Sequence, residues 1–328
     1  MGNRTGRIAL KNMCIMRPQI LNELSVNGSY SNSIEADKGM DICIRLSVAM
    51  TEYGSEKSIL ITRNFAEQEL CLGYTVRDWV RKMLRLHANR DNLRYFLFGV
   101  TSKQYIIEPF IPEGIEFKHE GKKAYGLGLA SHWNSAALSL NCHSAFRADT
   151  VQLQKQSLSD TAEIVEETVA VESLWSCAQV DTIGKLLLGR ARKRIESGQE
   201  IIDNAQGLFP RLRISDNAVK QLKRITGAAP SFSKIVKHLS ILNDTMRDWQ
   251  SGVFDPQGID CSGDSKPTLQ KYDRERRLTC ADGQTRTFST HSKLKNINWR
   301  IYFFAIPEKK IVHIGYVGKH LRTIKHGT

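Results

Sequence analysis

The chain has 328 residues, 41% of them hydrophobic and 25% charged, a balance ordinary for a soluble globular protein of about two domains. No apolar run approaches the roughly 18 residues that span a bilayer, which excludes a membrane-spanning helix. The formal net charge of +13 and a pI near 9.4 favour polyanionic partners, nucleic acid first, through counterion release.

Residues 1–30 show no clear period and read as a loosely packed lead-in, basic but without the apolar block of a secretion signal. Periodic segments follow. Glu35–Tyr53 carries Met40, Ile44, Val48 and Ala49 at helical spacing and closes at Gly54. Thr75 caps a second helix, with Val76, Trp79, Val80, Met83 and Leu84 on one face and Arg77, Arg81, Lys82 and Arg85 over much of the rest. Beyond Tyr105 the texture becomes mixed. Ala136–Asn141 and Ile164–Val171 read as strands, and Ile183–Ala205 as one long helix with a basic patch at Arg190, Arg192, Lys193 and Arg194. The Gly126-Leu127-Gly128 run lacks dinucleotide-site spacing, and no P-loop pattern occurs. Gly207 and Pro210 mark a boundary.

The expected organisation is therefore an α+β protein: a mixed α/β region over 1–205, divisible into a helical part, 1–104, and a part with strands and a helix, 105–205, followed by a basic module over 206–328. The seven cysteines, Cys14, Cys43, Cys71, Cys142, Cys177, Cys261 and Cys280, are scattered without the short gaps of a structural zinc site. Reduced thiols in the cytoplasm are expected, with no metal or other cofactor.

The basic module is the most readable part. Arg211–Ile214 forms a short strand, and Ser215 or Asp216 caps a helix with Val219, Leu222 and Ile225, ended by Gly227. A second helix starts at Pro230-Ser231 and carries the stripe Phe232, Ile235, Val236, Leu239, Leu242, Met246 and Trp249. Asp282-Gly283 makes a turn before a strand over Thr285–His291. Asn298–Ile306 alternates Trp299, Ile301 and Phe303 against Arg300, Tyr302 and Phe304; Lys310–Val317 alternates Val312, Ile314 and Tyr316 against Ile311, His313 and Gly315. The order is strand, helix, helix, then three strands in an antiparallel meander.

That order, with Lys293-Leu294, the run Trp299-Arg300-Ile301-Tyr302-Phe303, the run Ile311-Val312-His313-Ile314-Gly315-Tyr316 and then Lys319-His320-Leu321, resembles the bacterial RelE-type toxin ribonucleases over residues 211–328. The resemblance implies a compact sheet backed by a helical hairpin, cleaving RNA from a basic concave face, often ribosome-bound mRNA. It carries over roles but no fixed catalytic set. The chain departs from that pattern in a basic insertion, Asp260–Arg277, and in the residues that precede the module.

Metal-free RNA cleavage needs a base for the ribose 2′-OH, cations for the phosphorane and an acid for the leaving 5′ oxygen. The candidate catalytic set is His291, Lys293, Arg300, His313, Tyr316 and His320, since histidine titrates near neutrality and arginine holds phosphate bidentately. Arg274, Arg276, Arg277, Lys319 and Arg322 are the candidate nucleic-acid contacts. Each also fits a structural role: a strand arginine facing solvent, a core histidine or tyrosine, a polar loop bonded to itself. The leading expectation is a ribonuclease effector in bacterial stress or phage defence, gated by the N-terminal region through a protein trigger or self-association. The alternatives are a non-catalytic nucleic-acid-binding protein and a metal-dependent DNA nuclease using Asp260 and Asp264.

Overall fold

The computed structural model describes residues 17–27, 30–86, 90–100, 106–159 and 161–324. It is an α+β protein of two compact units, divided between Arg190 and Ala191 inside a helix, α5 (Val180–Lys193). No helix among the described residues is long and apolar enough to cross a membrane.

The first unit is built on a seven-stranded sheet. Its strands, in sheet order, are β2 (Ile59–Leu60), β1 (Gln19–Leu21), β7 (Ala136–Leu138), β9 (Ile164–Leu174), β8 (Thr150–Leu158), β5 (Ile115–His119) and β6 (Lys122–Lys123). The first four run parallel and the rest antiparallel. The lead-in expectation fails over the described residues 17–27, while residues 1–16 lie outside the described residues. Ile20 and Leu21 are buried inside the sheet, in a three-residue strand too short to show a period. Helices α1 (Ser33–Met50), α2 (Val76–Leu86) and α3 (Arg90–Val100) help to close its core, where Trp79 meets Phe96 edge-on at 6.0 Å. Thr75 does start α2, exchanging hydrogen bonds with Asp78. At the strand ends a buried polar seam links Asn22 to Ser139 and Ser139 to Ser173, each bond satisfying a group that water cannot reach.

The helix expected over Ile183–Ala205 is broken. α5 stops at Lys193, and α6 (Gly198–Asp203) and α7 (Ala205–Leu208) follow. Ser197 recaps the chain by accepting from Glu200 N, and Gly198 packs so tightly on the Leu222 carbonyl that a Cβ would lie 1.9 Å from its oxygen.

The second unit carries the basic module. Its five-stranded sheet has the order β10 (Leu212–Ile214), β16 (Ile311–Lys319), β15 (Trp299–Ile306), β14 (Thr290–Leu294), β11 (Asp260–Gly263). β10 is parallel to β16 and every other pairing is antiparallel. Between β10 and β11 come α8 (Asp216–Leu222), capped by Ser215, one of the two residues its sequence offers, and α9 (Phe232–Asp248). The stripe Ile235, Leu239, Leu242 and Met246 of α9 is wholly buried, and His238 on the same helix meets Ser292 of β14 at 3.0 Å. The strand–helix–helix–three-strand order holds, with β11 added at the edge.

Two readings of this module change. The strand expected over Thr285–His291 splits into β13 (Thr285–Thr287) and β14, which belong to different sheets. β13 instead pairs with β12 (Arg277–Thr279), and Phe288 N donates to Arg276 O where the chain turns between them. The insertion is folded as well: after β11 it forms α10 (Lys266–Lys271) and α11 (Asp273–Arg276), each too short for a periodic signal.

Candidate active site

The sheet of the second unit has one face toward α9 and one away from it. Register places His291 opposite Tyr302, Lys293 opposite Arg300 and Tyr302 opposite Tyr316. Period-two alternation then puts all of these on the face away from α9. A β-bulge helps to set this. Tyr302 pairs with Tyr316 and Phe303 with Ile314, so Gly315 is the extra residue. Strict alternation predicts Tyr316 beside Val312 and Ile314. The bulge reverses the phase and brings Tyr316 onto the face of His313 and Tyr302, with the two tyrosine rings 5.9 Å apart.

Several predicted groups converge at the β11–β14 side of this face. His291 and His320 lie edge to face with ring centroids 6.0 Å apart, and His291 tilts on Tyr302 at 4.7 Å. Nε2 of His291 meets Ser262 Oγ at 3.1 Å. Burial pushes the His291 pKa down to about 4; Arg300, His320 and Lys293 act in the same direction and Asp264 opposes them. The ring is therefore neutral near pH 7. Lys293 reaches Asp260 Oδ1 at 3.3 Å. Arg300 has a different environment. Its Nη1 donates to the Trp299 carbonyl, its Nε is buried without a hydrogen-bond partner, and no carboxylate is in salt-bridge range among the described residues. Two like charges directly opposite on neighbouring strands repel. With one carboxylate between them, Lys293 and Arg300 leave a cationic position that an anion would satisfy.

The rest of the face is covered by the β12–β13 hairpin and the residues that follow it. Phe288 and Cys280 pack with Tyr302, joined by Leu278, Tyr316 and Leu321. Phe288 crosses Phe304 at 6.2 Å. Gly315 makes this approach possible, since a Cβ there would stand 2.7 Å from the Phe288 ring. Beneath the cover Arg276 is fully enclosed. It pairs with Asp264 at 3.0 Å, donates to the Arg322 carbonyl at 2.7 Å, and its guanidinium lies 5.8 Å from the Tyr302 ring centre.

The predicted residues are thus sorted. His291, Lys293, Arg300 and His320 come together. His313 does not join them: it sits opposite Phe304, is 1% exposed, and faces Asp282 of the hairpin turn. Tyr316 is adjacent, but its hydroxyl is committed to the Lys319 carbonyl at 2.9 Å, and burial raises its pKa. Arg276 cannot contact phosphate, because its side chain has no exposed surface and its charge is matched by Asp264. Arg274, Arg277, Lys319 and Arg322 are exposed, Arg277 and Arg322 with acidic neighbours at Asp273 and Glu275. Asp260 and Asp264 do not form a shared carboxylate site, since each is engaged by its own cation. Sequence reasoning missed the contact of Ser262 with His291 and the role of Cys280. The pairing of β14 with β11 depends on a four-residue strand.

Comparison of the chain with protein-family models, with curated proteins and with solved structures found no match.

Proposed function

We propose that the second unit is a ribonuclease acting without metal by general acid–base catalysis, resembling the RelE-type toxins. The observation that carries this reading is the pairing of Lys293 with Arg300 beside the His291–His320 pair, where the Arg300 guanidinium has no carboxylate of its own among the described residues. Arg300 and Lys293 hold the scissile phosphate. His320, half-buried where the chain leaves the sheet, exchanges protons with the reacting oxygens. The 2′-OH gives up its proton as its oxygen attacks phosphorus, the P–O5′ bond breaks, and the 5′ oxygen takes a proton. His291 is neutral, so it serves as an acceptor or as a support for Ser262, not as the acid. Exposed Arg274, Arg277, Lys319 and Arg322 guide the RNA backbone. The first unit is assigned sensing or gating, and a cytoplasmic stress or phage-defence role follows from the resemblance.

The purified full chain, given single-stranded RNA in excess EDTA, should release fragments ending in a cyclic phosphate. His320→Ala and Arg300→Gln, each with an unchanged far-UV spectrum, should slow this by about 100- to 10,000-fold. Unaltered rates in both variants would remove the assignment. Salt-sensitive binding with intact RNA would establish a binding protein instead, and EDTA-sensitive cutting of DNA a metal nuclease.

A further inference from the structure

Away from the proposed catalytic groups, the turn of the β12–β13 hairpin brings a second donor set against β16. Cys280 Sγ, a carboxylate oxygen of Asp282 and a ring nitrogen of His313 all lie within 4.8 Å of one another. Nε2 of His313 is 3.9 Å from Asp282 Oδ2. His313 is 1% exposed, and neither of its ring nitrogens has a hydrogen-bond partner among the described residues. A neutral imidazole carries one N–H and one lone pair, and native interiors rarely leave both buried and unmatched. Such a ring, aimed at a thiol and a carboxylate, is an incomplete coordination sphere.

We propose that Cys280, Asp282 and His313 bind a divalent transition-metal ion of the zinc class. One sulfur, one nitrogen and one oxygen donor suit a borderline ion, and three protein ligands leave a fourth tetrahedral position for water. Arg286 sets the carboxylate. Its Nη1 donates to Asp282 Oδ1 at 2.8 Å and its Nη2 to Oδ2 at 2.7 Å, and Gln284 N adds a second bond to Oδ1 at 3.1 Å. Oδ2 accepts one bond and retains a lone pair, and it is the oxygen that faces His313. Arg286 acts as an outer-shell positioning residue. Ligands at roughly 2.0–2.3 Å from zinc stand roughly 3.3–3.8 Å apart, so the donors close by about 1 Å on binding. The hairpin turn, with Asp282 38% exposed, can supply that movement and gives the ion its route from solvent.

The bond-making step is simple. The Cys280 thiol, which burial holds protonated, releases its proton to solvent as the metal–sulfur bond forms, with no change of oxidation state. Thiolate and carboxylate then offset the ion's two charges, and the Arg286 guanidinium, bonded to both Asp282 and Cys280, leaves the cluster one net positive charge. The bound ion would fasten the hairpin turn to β16, and with it the cover over Tyr302 and Gly315.

The test is independent of RNA cleavage. The reduced, chelator-treated full chain is titrated with cobalt(II), followed by its thiolate-to-metal charge-transfer band. One equivalent should bind and be displaced by zinc. The band should vanish in Cys280→Ser and His313→Gln and persist in Cys177→Ser, which alters an exposed thiol. Asp282→Asn, at an exposed turn, should weaken binding at least about tenfold without altering the fold. The proposal is overturned by absence of the band in the wild-type chain, by its persistence in both Cys280→Ser and His313→Gln, or by its loss in Cys177→Ser.

Discussion

Arg276 belongs to a basic run, Arg274, Arg276 and Arg277, that looks uniform along the sequence. In the fold its neighbours face solvent while Arg276 lies under the cover with Asp264, which is itself only 3% exposed. Breaking such a pair from one side leaves the enclosed guanidinium with Glu275, at 3.4 Å, as its remaining carboxylate, at a cost of up to about 3–5 kcal/mol. Asp264→Ala should therefore lower the unfolding free energy of the second unit, followed by urea denaturation, by about that amount, while the double change Asp264→Leu with Arg276→Met should recover most of it. A loss below about 1 kcal/mol for the single variant would mean that water reaches the guanidinium. This partition was not legible in advance, because composition gives the charge of a segment but not which side chain a later fold encloses. The chemistry of His291, Lys293 and Arg300 was legible but their shared face was not, because the strand expected there ends at His291 and only the register of β14 with β15 aligns the three. His313 was assigned to that set by chemistry alone, and its position beyond the bulge separates it from His291.

At the level of elements, the bulge at Gly315 and the break at Phe288 act together. Phe288 leaves the line of β14, and Gly315 leaves room for its ring. Gly315→Ala should push the hairpin outward and cost about 1–3 kcal/mol through overpacking. Faster amide exchange over 277–288, with α9 still protected, would report it; unchanged exchange would show that the cover does not depend on this contact. The helices of this module were readable because the apolar positions Phe232, Ile235, Leu239, Leu242 and Met246 of α9 recur at intervals of three and four. The continuous strand expected over Thr285–His291 was not, since Phe288 and Ser289 fit a strand locally and only contact with Gly315 and Arg276 diverts them.

For the whole molecule, buried histidines tie stability to pH. His238 and His291 each have their pKa pushed down to about 4 by burial, and His313 is lowered for the same reason. Unfolded, these rings titrate near 6.5, so between about pH 6.5 and 4 the unfolded chain binds more protons than the folded one. Stability is therefore intact above that window and declines as the pH falls through it. His238 and His291 should each contribute at most about 3 kcal/mol to the loss by pH 4. Thermal melts in EDTA from pH 7.5 to 4 should show this decline, and His238→Gln should flatten it. A flat profile in the wild-type chain would mean that these rings titrate normally. The pairing of β10 with β16 has a further consequence, for synthesis. Ser215, directly after β10, bonds to Gly315 across 100 residues of sequence, and β16 lies between β10 and β15 in the sheet. Long-range pairings of this kind form late, and the ribosome delivers β16 after the other four strands of its sheet. Until then Arg300 stands on an edge strand and His320 has not been made, so an interrupted translation product would lack the proposed activity altogether.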